Sequence, residues 1–158
     1  MKRSDKKALS PVVATVLLVA MVIFIALIVF LWLRGVVGEY GEKFGKNVEI
    51  VCGEVKIDAG YTGGSLYVTN DGNVPIFNLN LRLTQAGSYQ TKSITSLDSS
   101  WKAKGLTPGS VFTSQDISST VGSSTSLTVI PILIATSDSG QNKAFTCDEQ
   151  YGQEIILV

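Results

Sequence analysis

Residues 8–34 read ALSPVVATVLLVAMVIFIALIVFLWLR, and from Ala8 to Leu33 none of them is charged. As a helix, Pro11 to Leu33 spans roughly 34 Å at 1.5 Å per residue. A bilayer hydrocarbon core is about 30 Å thick, so the segment crosses it with slight tilt. Sixteen of those 23 residues are Leu, Ile, Val or Phe. On an insertion scale they favour the membrane by on the order of 5–10 kcal/mol. A helix that is apolar on every side is soluble only in lipid or in a core made by other copies of itself. Ser10 stands where a helix cap is needed, and Pro11 where a first-turn proline forfeits no hydrogen bond. Trp32 closes the apolar run, where an indole suits a membrane interface, and Arg34 follows it.

The rest of the composition narrows the function. The chain has 158 residues, 45% of them hydrophobic and only 16% charged, with a mean hydropathy of +0.29. These values argue against disorder and against an ordinary soluble enzyme. Histidine is absent from the sequence, which removes the commonest general base and the commonest metal ligand. No glycine-rich phosphate loop follows a strand pattern. Asp148 and Glu149 are adjacent at an apparent strand end, hence pointing opposite ways, and make a poor acid–base pair. No catalytic, cofactor-binding or metal-ligating residue is assigned, and the chain reads as a non-enzyme without a cofactor. Its net charge of zero gives no basic field for nucleic acid.

That zero hides a gradient. Lys2, Arg3, Lys6 and Lys7 against Asp5 make residues 1–7 a +3 tip. Residues 34–47 carry +1, and residues 48–158 carry six basic against ten acidic side chains. Basic residues ahead of the apolar run and mixed charges after it place Met1 in the cytoplasm and the acidic remainder outside. A secretory signal peptide has a shorter apolar stretch followed by a small-residue cleavage site. Here Leu33-Arg34-Gly35-Val36-Val37-Gly38 offers no such pattern. The plausible processing site lies before the run, in Lys6-Lys7-Ala8-Leu9-Ser10-Pro11, between Ala8 and Leu9.

Residues 6–23, from that Lys-Lys-Ala-Leu-Ser-Pro through an Ala/Val/Ile/Leu-rich helix, resemble the N-terminal region of archaeal type IV pilins. The resemblance covers about the first 35 residues, and the Ser-Pro placement after Lys-Lys-Ala is its most specific part. It implies a precursor with a leader at residues 1–8, cut by a membrane aspartic peptidase of the prepilin type. It further implies assembly into a homopolymer by an ATPase and a platform membrane protein. Bacterial type IV pilins place a glutamate at the fifth mature residue, whereas a chain starting at Leu9 has Val13 there. That departure favours the archaeal branch. Ser10, Ala14, Thr15, Ala20 and Ala26 are small enough to permit close helix approach in a filament core.

Residues 9–47 are expected to form the core helix and its neck. In the neck, Val36, Tyr40 and Phe44 repeat at i, i+4 beside Gly38, Gly41 and Gly45, so a helix would show neighbours an aromatic stripe. It is expected to fray near Gly45-Lys46-Asn47, since each interior glycine costs about 1 kcal/mol relative to alanine. A loose stalk is the competing reading.

From residue 48 to 158 the period becomes two. Phe77, Leu79, Leu81 and Leu83 alternate with Asn78, Asn80, Arg82 and Thr84 as in a half-buried strand. Residues 65–69 form another, with a turn at Asn70-Asp71-Gly72-Asn73 between them. Further strands are expected at 48–58, 88–94, 110–117, 126–136, 142–147 and 153–158, with turns at Gly63-Gly64 and Pro108-Gly109. About eight short strands without a helical pattern read as an antiparallel, immunoglobulin-like β-sandwich head. Pro131 suggests a bulge or an edge position, and Trp101 a partly buried rim aromatic. Cys52, in the first of these strands, and Cys147, near the last, are expected to form one disulfide outside the cell.

The resulting expectation is a structural subunit of an archaeal type IV adhesion pilus, first held in the cell membrane and then in an extracellular filament. The alternatives are a non-polymerising single-pass anchor, whose sandwich binds a surface-layer or archaellum component, and a minor pilin.

Overall fold

Leu79, Leu81 and Leu83 all point into the core while Asn78, Asn80 and Arg82 face partly outward, so β5 (Asn78–Gln85) carries the period-two pattern into the fold. A computed structural model describes residues 11–37, 41–137 and 139–157, with only the backbone described at 34–37. The chain divides into two compact units, Met1–Glu39 and Tyr40–Val158. Among the described residues, the first contains one helix, α1 (Pro11–Val37). The second is a β-sandwich.

Its larger sheet is organised about β8 (Ser126–Thr136), the longest strand. On one side β8 pairs antiparallel with β5, which in turn pairs with β6 (Ser88–Ser93). On the other it pairs with β10 (Gln153–Ile156) along 126–129 and with β9 (Asn142–Thr146) along 132–136. The short hairpin of β1 (Glu42–Lys43) and β2 (Lys46–Asn47) joins the same sheet at Thr136. The smaller sheet runs β3 (Ile57–Thr62), β4 (Ser65–Asn70), β7 (Val111–Thr113). Leu66, Val68 and Phe112 from it meet Leu79, Leu81, Leu127 and Val129 from the larger sheet in one buried cluster.

Two glycine sites are required by geometry. Gly63 and Gly64, at φ of 59° and 86°, make the two-residue turn between β3 and β4, a conformation that other residues adopt only at a cost. Gly105 lies at φ 73°, and a Cβ there would sit 2.0 Å from the Ile76 carbonyl oxygen. Ile76 and Leu106 exchange backbone hydrogen bonds at that close approach.

Several expectations are corrected. The strand expected at 48–58 is instead a helix, α2 (Val48–Gly53), followed by β3. Asn47 caps α2 by accepting a hydrogen bond from the Glu49 N–H at 2.9 Å. Val48, Val51 and Cys52 are its buried face, an i, i+3, i+4 set. The sandwich also holds α3 (Ile94–Leu97), α4 (Ser118–Val121) and a 3-10 turn at Glu149–Tyr151. It is therefore not free of helix. Asp148 precedes that turn as its N-cap residue and is not on a strand. The strand expected at 110–117 shrinks to the three residues of β7.

Pro131 is neither at an edge nor in a bulge, since β8 has neighbours on both sides and an unbroken register with β5. The Pro131 carbonyl accepts from Cys147 N–H at 3.0 Å. Its nitrogen therefore faces the seam where β9 ends and β10 begins, between the two ladders on that side, where no ladder donor is needed. The turn at 70–73 carries the chain from the small sheet to the large one and does not close a hairpin.

The neck also differs. Helix α1 ends at Val37, and residues 41–47 belong to the second unit as the β1–β2 hairpin. The boundary therefore falls at residue 40 rather than 48. Phe44 occupies the hairpin turn at φ 56° with Gly45 at 72°, so it cannot extend an i, i+4 helical stripe. Glycines at 41 and 45 favoured the turn over a continued helix.

Candidate functional site

The side chains of α1 carry the chemistry that distinguishes this chain. Every residue from Pro11 to Leu33 is exposed, and the stretch is long and apolar enough to cross a membrane. Its one hydroxyl, on Thr15, donates to the Val12 carbonyl at 2.9 Å and so brings no unpaired polar group into lipid. Trp32, 67% exposed, sits at the end of the span. Among the described residues of the first unit, nothing covers this surface.

Of the residues assigned from sequence, Pro11 opens the helix as expected. Lys2, Arg3, Lys6, Lys7, Ala8, Leu9 and Ser10 lie outside the described residues, as does Tyr40, and nothing is described of the Val36 side chain. Phe44 is described, 68% exposed at its hairpin tip, with the Lys43 ammonium 5.6 Å from its ring. Lys43 donates to the Pro75 carbonyl at 3.3 Å, and burial holds its pKa below the usual lysine value.

Cys52 and Cys147 form a disulfide with a Cα–Cα distance of 5.7 Å. The sulfurs join α2 to the end of β9 inside a second buried cluster with Val48, Val51, Val74, Leu133 and Ala135. A helix able to cross a membrane and a disulfide in the following unit together fit a membrane-anchored chain with an extracellular head.

Asn70 and Asp98 are among the buried polar side chains that escaped the sequence reading. Asn70 donates to the Val74 and Leu106 carbonyls and accepts from the Gly72 N–H. Asp98, 2% exposed, accepts from the backbone N–H of Ser100 at 2.7 Å and of Gln115 at 2.6 Å. Burial pushes the Asp98 pKa up, but hydrogen bonds from Ser100 and Gln115 outweigh it, and the carboxyl stays below its ordinary value. The only local signal for either was a polar residue beside a turn, which many solvated residues share. Trp101 is deeper than a rim residue. Its Nε1 donates to the Phe77 carbonyl at 3.1 Å, and its ring meets Phe112 edge-on with centroids 4.8 Å apart.

The depressed Asp98 pKa sets a pH dependence. Its stabilisation is complete above the unfolded-chain value near 4 and is lost as pH falls through the lower folded value. Asp116, held down by hydrogen bonds from Ser118, titrates in the same direction. Urea midpoints should therefore fall between neutral pH and pH 3. Asp98→Asn should lose about 1–3 kcal/mol at pH 7, because its amide meets a backbone N–H, and should fall less steeply in acid. An unchanged acid slope in the variant would assign the pH dependence to other groups.

A scan against protein-family models and a search of curated proteins gave no match to this chain. Among the described residues no cluster of three or more His, Cys, Asp or Glu side chains forms a metal-holding group.

Proposed function

We propose that this chain is a structural subunit of an archaeal type IV filament, held in the membrane by α1 and later buried with copies of itself. The observation that supports this best is the uncovered apolar helix directly after Lys6-Lys7-Ala8-Leu9-Ser10-Pro11. Cleavage after Ala8 by a prepilin-type aspartic peptidase removes the +3 tip. The helix surface then passes from lipid to a bundle of identical helices with little change in its apolar surroundings. Small residues at Ala14, Ala20 and Ala26 let neighbouring backbones approach. An assembly ATPase and a platform membrane protein drive that transfer, and the sandwich faces outward for adhesion.

N-terminal sequencing of the mature protein should find Leu9 first, and electron microscopy of surface fibres should identify this chain as their bulk component. Intact Met1 with every copy in the membrane fraction would instead support the second reading. That reading is a single-pass anchor presenting the sandwich to a surface-layer or archaellum component, and the match of helix length to bilayer thickness favours it equally. Leu9 at the N-terminus with the chain present only at trace level in fibres would indicate a minor pilin.

A further inference from the structure

Phe44 is costly twice over where it stands. It takes the first place of the two-residue turn between β1 and β2, at φ 56°, with Gly45 at 72°. Turns with positive φ at both places favour Asn-Gly, and a bulky residue in that region is strained. Its side chain is nevertheless 68% exposed. The hairpin would close more readily on asparagine, so the fold itself does not ask for phenylalanine. Such an outlier is a mark of function.

Beside the turn lies a shallow dent of about 170 Å³, flanked by Lys43 and Lys104 and lined by Pro75, Phe77 and Ile134. Lys43 joins the two features, since its ammonium is 5.6 Å from the Phe44 ring centre and 3.3 Å from the Pro75 carbonyl oxygen. Among the described residues no carboxylate lines the dent, although residues 48–158 carry ten acidic against six basic side chains. Glu42 precedes Lys43 in β1, and strand alternation sends it to the other face. Lys46 is engaged by Glu54. The patch is thus apolar and basic on a head of net negative charge.

Chain connectivity brings it to a particular surface. Residues 38–40 separate α1 from Gly41, and four peptide units extend at most about 14 Å. The hairpin is therefore tethered within reach of any bilayer that α1 crosses, whatever the arrangement of the two units. An aromatic ring among acyl chains, with ammonium groups at phosphates, is how amphipathic elements lie on such a surface. A small soluble ligand suits the patch less well, since the dent is smaller than small-molecule sites and Phe44 would stay in water. A second copy docked patch to patch about a two-fold axis would set the lysines against their own equivalents. We infer that the β1–β2 hairpin lies on the bilayer surface in the membrane-held form, with Phe44 among the acyl chains and Lys43 and Lys104 at anionic lipid phosphates. This rests on α1 spanning a bilayer, which both readings under Proposed function share.

The test is amide NMR of the full chain in lipid nanodiscs holding one copy each, with a spin label near the top of the acyl chains. The bilayers are phosphatidylcholine, alone or with about one phosphatidylglycerol in three lipids. Amide signals of residues 43–46, 76, 77 and 104 should broaden, and more so with phosphatidylglycerol. Phe44→Asn should lose roughly half or more of that broadening while melting at the same temperature or higher, because asparagine suits the turn. Lys104→Gln should weaken the response to phosphatidylglycerol by about half, as one cation of two. Equal broadening in Phe44→Asn or indifference to phosphatidylglycerol would overturn the proposal. Contacts that appear only in nanodiscs loaded with two copies would also overturn it and assign the patch to a second copy. The α1 amides report the underlying reading separately. If they broaden while the hairpin does not, this proposal alone falls; if they do not broaden, the membrane-spanning reading falls with it.

Discussion

Removing both sulfurs with Cys52→Ala and Cys147→Ala is expected to lower the stability of the sandwich by about 4–5 kcal/mol. The bridge closes a loop with a sequence separation of 95 residues. In the chain-entropy model a loop of that length restrains the unfolded state by this amount. For a unit of this size the melting temperature should fall by roughly 15–25 °C. Both half-cystines lie in a buried cluster, so alanine also leaves small voids, which add to the loss. A thermal melt of the parent in reducing agent should reproduce most of the shift without any mutation. A difference of only a few degrees in both experiments would mean that the rest of α2 and β9 holds this end together unaided.

Asn70→Ala should cost about 3–5 kcal/mol, although it removes only a small polar group. The Asn70 amide nitrogen bonds the Val74 carbonyl at 2.9 Å and the Leu106 carbonyl at 3.1 Å, and its oxygen receives the Gly72 N–H at 3.1 Å. Its own backbone joins the same region, with Asn70 N–H donating to Ser110 and Gly109 N–H donating to Asn70. One fully buried side chain thus ties the 70–73 crossover to the loop leading into β7. Alanine leaves three backbone groups without partners in a place water does not reach, and each such loss is worth about 1–3 kcal/mol. Asn70→Asp should not rescue, because it turns two donors into an acceptor facing two carbonyls. Urea denaturation of the set will decide. An Asn70→Leu variant close to the parent would show that Asn70 fills space and that its hydrogen bonds contribute little.

Much of the sandwich was legible in its sequence because strands with one buried face advertise it. Leu79, Leu81 and Leu83 alternate with polar residues, and β8 occupies the 126–136 span expected of it. The stretch Val48-Glu49-Ile50-Val51-Cys52 misled for a physical reason. Its β-branched residues favour strand, and the exposed Ile50 masks the helical spacing of Val48, Val51 and Cys52. Only packing against Leu133 and Ala135, with the Asn47 cap, makes that spacing decisive. The neck misled in the opposite sense. Val36, Tyr40 and Phe44 match a helix wheel, but Phe44-Gly45 closes a hairpin whose β1 strand is held at Thr136, far along the chain.

The amino-acid order alone determined the apolar helix, its start at Pro11 and the basic and acidic character of the sequence on its two sides. An unbroken greasy run selects helix from its own backbone demands, whatever surrounds it. It also determined the alternating strands and nominated the two cysteines. The tertiary structure decided which sheet each strand joins, that Cys52 reaches Cys147 from a helix, and that Pro131 sits at a seam. It also revealed Asn70, Asp98 and Ser124 as buried polar groups. Periodicity reports that a face is covered but not by what, and a polar side chain's partner is fixed only when distant segments meet.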